Sequence, residues 1–114
     1  MSDFNLEYLS WLVSRKPKRV VEPIAWVQHI PFAFLTINML KPKLFVELGV
    51  HTGNSFSAFC QAIKELNIKC SAYGIDTFKG DKHAGFYGDE IFQDINNYIN
   101  KEYGDFAQLM KMSF

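Results

Sequence analysis

The chain has 114 residues with a formal net charge of zero, and its hydrophobic and aromatic contents are 48% and 16%. This length sets an upper limit of one domain, and the composition is that of a globular protein with a core. Zero net charge argues against a dedicated nucleic-acid binder, because affinity for phosphates requires an excess of basic residues.

Cysteine usage and hydropathy point to a cytoplasmic protein. Cys60 and Cys70 lack the spacing of metal ligands, so we expect free buried thiols in a reducing compartment. The first residues lack the basic and apolar regions of a signal peptide. The most apolar stretch, 23–40, is interrupted by polar residues and by Pro31, so we expect no membrane span.

The chain begins with a predicted helix. Ser2 or Asp3 can cap it, and its apolar periodicity continues to about Ser14. A basic run that contains a proline, residues 15–19, then interrupts the pattern. The simplest interpretation of this run is a solvated linker, and contact with a phosphate or an anionic lipid is the alternative.

The next segments predict a helix, a strand and a helix. The first of these helices has Pro31 in its first turn and ends at the Lys-Pro-Lys sequence 41–43. Leu44–Leu48 is a short apolar run, as expected for a strand that is buried on both faces. Asn54 or Ser55 can cap the helix that follows the strand.

That helix has an apolar face at helical spacing, formed by Phe56, Phe59, Cys60, Ile63 and Leu66. Cys70–Ile75 is the second strand, so a strand, a helix and a strand make one right-handed crossover unit. A loop with three glycines, 77–88, leads to a last amphipathic helix that ends near Gly104. The tail to Phe114 fits no single element. The alternation predicts an α/β fold with a doubly wound parallel sheet.

Two carboxylates at strand ends, with a glycine-bearing turn between them, indicate a nucleotide-type cofactor site. Gly49 and Gly53 bracket the turn, and the helix after it directs backbone N–H groups toward it. Asp76 ends the second strand, where an acidic residue can accept hydrogen bonds from two ribose hydroxyls. Glu47 lies near the end of the first strand, and we expect it to have a partner because an unpaired buried carboxylate is costly.

His51 limits the choice of ligand. It stands where the dinucleotide fingerprint has its middle glycine, which argues against NAD and FAD and so against a nicotinamide-dependent oxidoreductase. A smaller nucleoside ligand tolerates a side chain at this point. The His51 side chain can bond to a ligand carboxylate or to its own loop, and the sequence leaves both possibilities open.

The sequence VELGVHTG at 46–53 resembles the first motif of class I S-adenosylmethionine-dependent methyltransferases. The sequences WVQHIPFA at 26–33, AFCQA at 58–62 and DTFKGDKHAGFYG at 76–88 resemble one bacterial branch of that family. Genes of this branch are often beside, or fused to, those of glycosyltransferases for surface polysaccharides. The resemblance covers 22–114 and is most specific in its last segment, because sequence context raises a motif above a chance match.

The resemblance implies a Rossmann-like sheet that binds S-adenosylmethionine and transfers a methyl group, with an oxygen of a sugar or another small molecule as the acceptor. Glu47 and the loop would lie by the methionyl part, Asp76 by the ribose, and the next two residues near the adenine. The cofactor-binding residues implied are Glu47, Gly49, His51, Thr52, Gly53, Asp76, Thr77 and Phe78.

Family members continue with further strands that supply any metal ligands and any general base. The resemblance therefore divides the chain into an N-terminal helical segment, 1–42, and an incomplete first half of a Rossmann-like domain, 43–114, which we expect to be inactive alone. His83, Asp81 and Tyr87 are candidates for acceptor binding, acid–base work or a divalent metal, and a structural turn is the favoured alternative. We assign no metal ligand.

A different class of function stays open beside the enzyme. Open sheet edges and uncovered apolar faces favour association, so the chain can also be a non-catalytic nucleoside-binding or interaction fragment that forms homo-oligomers.

Overall fold

The computed structural model describes residues 5–22, 29–81, 85–86 and 88–113. Four helices lie in this part of the chain: α1 (Leu6–Val13), α2 (Ile30–Leu40), α3 (Asn54–Glu65) and α4 (Asp89–Tyr103). Five strands accompany them: β1 (Leu44–Leu48), β2 (Ser71–Asp76), β3 (Gly80–Asp81), β4 (Gly85–Phe86) and β5 (Ala107–Lys111).

The main sheet is parallel, with strand order β1-β2-β5, which confirms the predicted α/β class and the Rossmann-like sheet. In register, Phe45 lies beside Ala72 and Ala72 beside Ala107. The tail that fits no element in the sequence is β5. It becomes a strand because Ala107 and Leu109 are buried and its backbone pairs with β2.

The sheet has one face that we call the covered face, against which α3 and α4 pack. Phe45 of β1 stacks on Phe59 of α3 with ring centroids 4.5 Å apart. Gly74 lies in the middle of this face, and a Cβ there would come within 2.8 Å of Leu109 and of Val50. Glycine therefore allows the loop after β1 to approach the sheet closely.

The opposite face, which we call the open face, is mainly apolar, and in the described part of the chain its β1 side chains are exposed. Leu44, Val46 and Leu48 have exposed fractions of 60%, 47% and 58%. The prediction that β1 is buried on both faces is therefore wrong, because the described helices cover one face. The strands contribute to the open face Leu44, Val46 and Leu48 of β1, Ser71, Tyr73 and Ile75 of β2, and Gln108 and Met110 of β5.

The N-terminal helices pack on the same core as the sheet. Leu12 of α1, Phe34 of α2 and Phe56 of α3 belong to one buried cluster. Helix α1 is capped by Asn5, whose side chain accepts a hydrogen bond from the Tyr8 amide, rather than by Ser2 or Asp3, which lie outside the described residues.

Helix α2 starts as predicted, with Pro31 in its first turn, and ends at Lys41, which adopts a left-handed conformation. Helix α3 starts differently from the prediction: its N-cap is Gly53, and neither Asn54 nor Ser55 caps it. Those two side chains are used elsewhere, because Asn54 bonds to the N-terminal segment and Ser55 to Glu47.

Residues 15–21 have no regular secondary structure and form a segment along α3, which we call the strap. Gln61 of α3 is 3% exposed; its carbonyl oxygen accepts a hydrogen bond from the Lys18 amide, and its nitrogen donates one to the Lys16 carbonyl. Asn54 likewise accepts from the Val21 amide and donates to the Val21 carbonyl. The interpretation of the basic run as a solvated linker holds for the side chains of Lys16 and Lys18, which are exposed. It is wrong for the backbone of the run, because the buried side-chain amide of Gln61 binds it.

Cys60 and Cys70 are free and buried, as the sequence predicts. Burial raises the pKa of the Cys60 thiol well above its ordinary value. Among the described helices, none combines the length and the apolar character that crossing a membrane requires.

Candidate functional site

The turn between β1 and α3 has an unusual backbone. Gly49, His51 and Gly53 have φ angles of 85°, 56° and 89°, in the left-handed region that favours glycine. A side chain added at Gly49 would meet no atom within 4 Å, whereas one added at Gly53 would lie 2.3 Å from the end of Ile95. Gly49 therefore leaves open space beside the backbone, and Gly53 allows close packing on α4. We call residues 49–53 the glycine loop.

Asp76 joins the glycine loop to the loop after β2. One carboxylate oxygen accepts the His51 amide at 2.8 Å, and the other accepts the Phe78 amide at 3.0 Å. A carboxylate offers about four acceptor positions, so both oxygens retain capacity for a further donor. The Asp76 carboxylate, which the sequence predicts to bind a ribose, thus also connects the glycine loop to the loop after β2 by hydrogen bonds.

Glu47 lies on the covered face at the edge strand, where Ser55 donates a hydrogen bond to its carboxylate at 2.9 Å. The expected partner of this carboxylate is therefore present. Burial raises the pKa of Glu47 to about 7, the negative charge of Asp76 adds to the rise, and the Ser55 hydrogen bond opposes it. A cavity of about 420 Å³ is lined by Phe45, Val46, Glu47, Leu48, Gly49, Ser55 and Phe59.

Thr52 connects the glycine loop to the N-terminal strap. The residue is buried, and its carbonyl oxygen accepts a hydrogen bond of 2.8 Å from the guanidinium of Arg19. Sequence reasoning missed Arg19, because its basic neighbours made the whole run resemble a solvent-exposed segment. The two partners are 33 positions apart in the sequence, and no sequence pattern would pair them.

The two residues after Asp76 differ in burial. Thr77 is half-buried at the edge of the sheet, whereas Phe78 is 1% exposed. The ring of Phe78 packs edge-on against Phe92 of α4, with centroids 4.8 Å apart. Phe78 also has a positive φ of 59°, and the hydrogen bond from its backbone N–H to the Asp76 carboxylate holds this conformation in place. These contacts fix the loop after β2 on the core.

The loop candidates for acceptor chemistry are described only in part. His83 and Tyr87 lie outside the described residues, and the backbone of Asp81 pairs with Gly85 in the β3–β4 hairpin. Within the described ranges, no three His, Cys, Asp or Glu side chains are grouped to hold a metal ion. The structure thus brings together the carboxylates and the glycine loop, which form the candidate site.

Comparison with known proteins adds a family. A family model described as a methyltransferase domain matches residues 46–114. A protein of Sinorhizobium fredii (strain NBRC 101917 / NGR234) that carries the name "Uncharacterized protein y4gI" is 39% identical over 90 residues. That match covers 79% of this chain and 10% of the relative.

Two solved structures titled as cmcI also match. The one titled with SAH is 18% identical, has a TM-score of 0.48, and is matched over 98% of this chain and 51% of its own. The one titled with Mg-SAM is 17% identical, has a TM-score of 0.45, and is matched over 97% and 45%. The chain therefore spans about half the length of these structures and a tenth of the Sinorhizobium protein.

Proposed function

The chain belongs to the methyltransferase domain family, and on that premise we propose that it binds S-adenosylmethionine at the carboxyl edge of its sheet. It would supply the cofactor-binding half of an enzyme that methylates an oxygen of a sugar or another small acceptor. The observation that carries this proposal is the position of the Asp76 carboxylate. It connects two loops by hydrogen bonds, and its oxygens can accept further hydrogen bonds beside the open space at Gly49.

The residues at this edge fit such a ligand. Asp76 would accept hydrogen bonds from the two ribose hydroxyls, on the lone pairs that the backbone amides leave available. The glycine loop would lie by the methionyl part, with the space at Gly49 admitting the ligand close to the backbone. Glu47, when ionised, would attract the cationic end of the ligand.

The sulfonium of the bound cofactor supplies the reactive methyl group, and the protein supplies alignment and a water-poor site. The glycine loop, which Arg19 of the strap holds, and the buried Phe78 would form a fixed wall on one side of that site. Thr77 would lie near the adenine. We propose that a base for a neutral acceptor hydroxyl would come from outside this half, and that the chain alone is inactive.

Further parts of the proposal rest on the sequence resemblance. The acceptor would be a sugar hydroxyl of a surface glycan, and the protein would act in the cytoplasm. Residues 1–42 would form a helical segment and residues 43–114 the first half of the Rossmann-like domain. The packing of α2 and α3 in one core supports a close association of these two parts.

Isothermal titration of the chain with S-adenosylhomocysteine tests the proposal. Asp76→Asn removes charge and one amide anchor, so affinity should fall about 10–100-fold, as expected for lost hydrogen bonds to a charged group. Asp105→Asn is the matched control, because Asp105 is exposed at the amino end of β5. Urea unfolding of every variant shows whether the fold persists.

Specific binding by the wild type and the control, together with weaker binding by Asp76→Asn, supports the proposal. A folded wild-type chain that binds no S-adenosylhomocysteine overturns it. Tighter binding of NAD would instead support an oxidoreductase, against the sequence argument from His51.

The open face favours a second candidate, a non-catalytic nucleoside-binding or interaction module. Exposed contiguous apolar side chains commonly mark association surfaces, and Leu44, Val46 and Leu48 form such a row. This module would associate through the open face whether or not a nucleoside is bound.

A further inference from the structure

Arg19 of the strap carries a buried guanidinium between the glycine loop and α4. Its side chain is 8% exposed. One nitrogen donates to the Thr52 carbonyl at 2.8 Å, and another donates to the Asp94 carboxylate at 2.6 Å. The guanidinium lies 5.3 Å from the centroid of the Tyr98 ring. A charge withdrawn from water requires such partners, and here two of them come from α4 and one from the loop.

The backbone of Arg19 is fixed on both sides. Gln61 binds the strap before it, through Lys18, and Asn54 binds the strap after it, through both backbone groups of Val21. Gln61 and Asn54 are each 3% exposed, so these bonds are shielded from competing water. The strap thus delivers the guanidinium to one defined position rather than to a range of positions.

The carbonyl that Arg19 holds belongs to Thr52, which stands between two residues of the glycine loop that have a left-handed conformation. His51 before it has a φ of 56°, and Gly53 after it has a φ of 89°. A non-glycine residue in this conformation is strained and persists only where its surroundings fix it. Asp76 accepts a hydrogen bond from the His51 amide, and Arg19 donates one to the Thr52 carbonyl, so two side chains fix the backbone around His51 and Thr52.

We infer that Arg19 is a positioning residue for the cofactor loop: through Thr52 it fixes the backbone that the ligand contacts, without touching the ligand itself. This inference deepens the proposed function and rests on it for the identity of the ligand. The ordering of the loop by Arg19 is a property of the free protein and can be measured separately.

The test compares Arg19→Met, Arg19→Lys and Arg15→Met in the full chain. Arg15 is the matched control, because it belongs to the same strap but pairs with Glu65 and lies over Trp11, away from the loop. Amide hydrogen exchange by NMR reports on His51 and Gly53 without ligand, and titration with S-adenosylhomocysteine reports affinity.

In Arg19→Met, the amides of the glycine loop should exchange about tenfold faster and the ligand should bind about tenfold more weakly, as expected for one lost charge-assisted hydrogen bond. Amides in the middle of α3 should keep their protection. Arg19→Lys keeps a positively charged hydrogen-bond donor, so its loop exchange rate and its ligand affinity should lie between those of Arg19→Met and the wild type. Arg15→Met should leave the loop unchanged.

Unchanged loop exchange in a folded Arg19→Met variant overturns the inference, and so does an equal rise in exchange throughout α3 and α4. If Arg19→Met does not fold, Arg19→Lys decides, because wild-type exchange in its loop is incompatible with the inference. A wild-type chain that binds no S-adenosylhomocysteine refutes the proposed function. The exchange data, which are measured without ligand, still test whether Arg19 orders the glycine loop.

Discussion

The covered and open faces of the parallel sheet are built from the same strands but differ in burial. On β1, the helix-facing positions include Phe45 and the carboxylate of Glu47, while Leu44, Val46 and Leu48 point to the exposed side. The more apolar set of side chains is thus the more exposed one. Burial in this sheet follows from where the helices pack and not from the hydropathy of the strand.

The difference teaches where the stability of the described chain is concentrated. On the covered face, Phe56 of α3 is fully buried and belongs to one buried apolar cluster with Ala72 and Leu109 of the sheet. Side chains on the open face still contact solvent, so shortening one of them to alanine removes much less buried apolar area than it does on the covered face.

The largest expected effect on the free energy of unfolding comes from replacing one large apolar side chain with alanine, first beneath the covered face and then on the open face. Phe56→Ala should lower the free energy of unfolding by about 3–5 kcal/mol, because it leaves a cavity in the core. Leu48→Ala on the open face should lower it by less than about 1 kcal/mol, since the leucine is already largely exposed. Urea unfolding followed by circular dichroism at low protein concentration measures both. Equal losses would show that the open face is covered in solution.

The second effect concerns Glu47, the charged residue on the covered face. Its pKa is raised from 4.5 to about 7 in the folded chain, so the folded state holds a proton that the unfolded state releases between these values. The free energy of unfolding should therefore fall as the pH rises from about 4.5 to 7, by roughly 1–3 kcal/mol from this group.

Glu47→Gln isolates that contribution, because the amide cannot ionise and its carbonyl can still accept the Ser55 hydrogen bond. The wild type minus variant difference in unfolding free energy should decrease through this pH window and level off above pH 7. A difference that stays constant with pH would show that Glu47 has an ordinary pKa in the folded chain.

The smallest effect on stability is expected at Val46, which lies between Leu44 and Leu48 on the open face. Val46→Thr keeps the β-branched shape and should change the free energy of unfolding by no more than about 0.5 kcal/mol. It should nevertheless weaken self-association, because it places a hydroxyl in the apolar surface. Sedimentation velocity over a range of concentrations measures this, and identical profiles for both proteins would argue against the open face as the association surface.

Local sequence features predicted much of the framework. Leu44–Leu48 forms the strand with the predicted bounds, and Pro31 stands in the first turn of its helix, as its fixed φ favours. The glycines at 49 and 53 adopt the positive φ angles for which glycine is suited. The carboxylates of Glu47 and Asp76 follow from the same local pattern, and the structure brings them to one edge of the sheet.

Other features escaped prediction because they depend on partners distant in sequence. Strand β5 has little local pattern of its own and is fixed by pairing with β2. Asn54 and Ser55 have the chemistry of helix caps, but the strap and Glu47 compete for their side chains, so Gly53 serves as the cap instead.

By itself, the sequence determined the order of strand, turn and helix and the chemical groups at the turn, because backbone preferences of glycine, proline and apolar runs act over a few residues. Only the tertiary structure decided which face of β1 is covered and what Arg19 binds. The partners of Arg19 lie 33 positions (Thr52) and 75 positions (Asp94) away from it in the sequence. Contacts over such separations form only when the whole chain packs, and no local pattern encodes them.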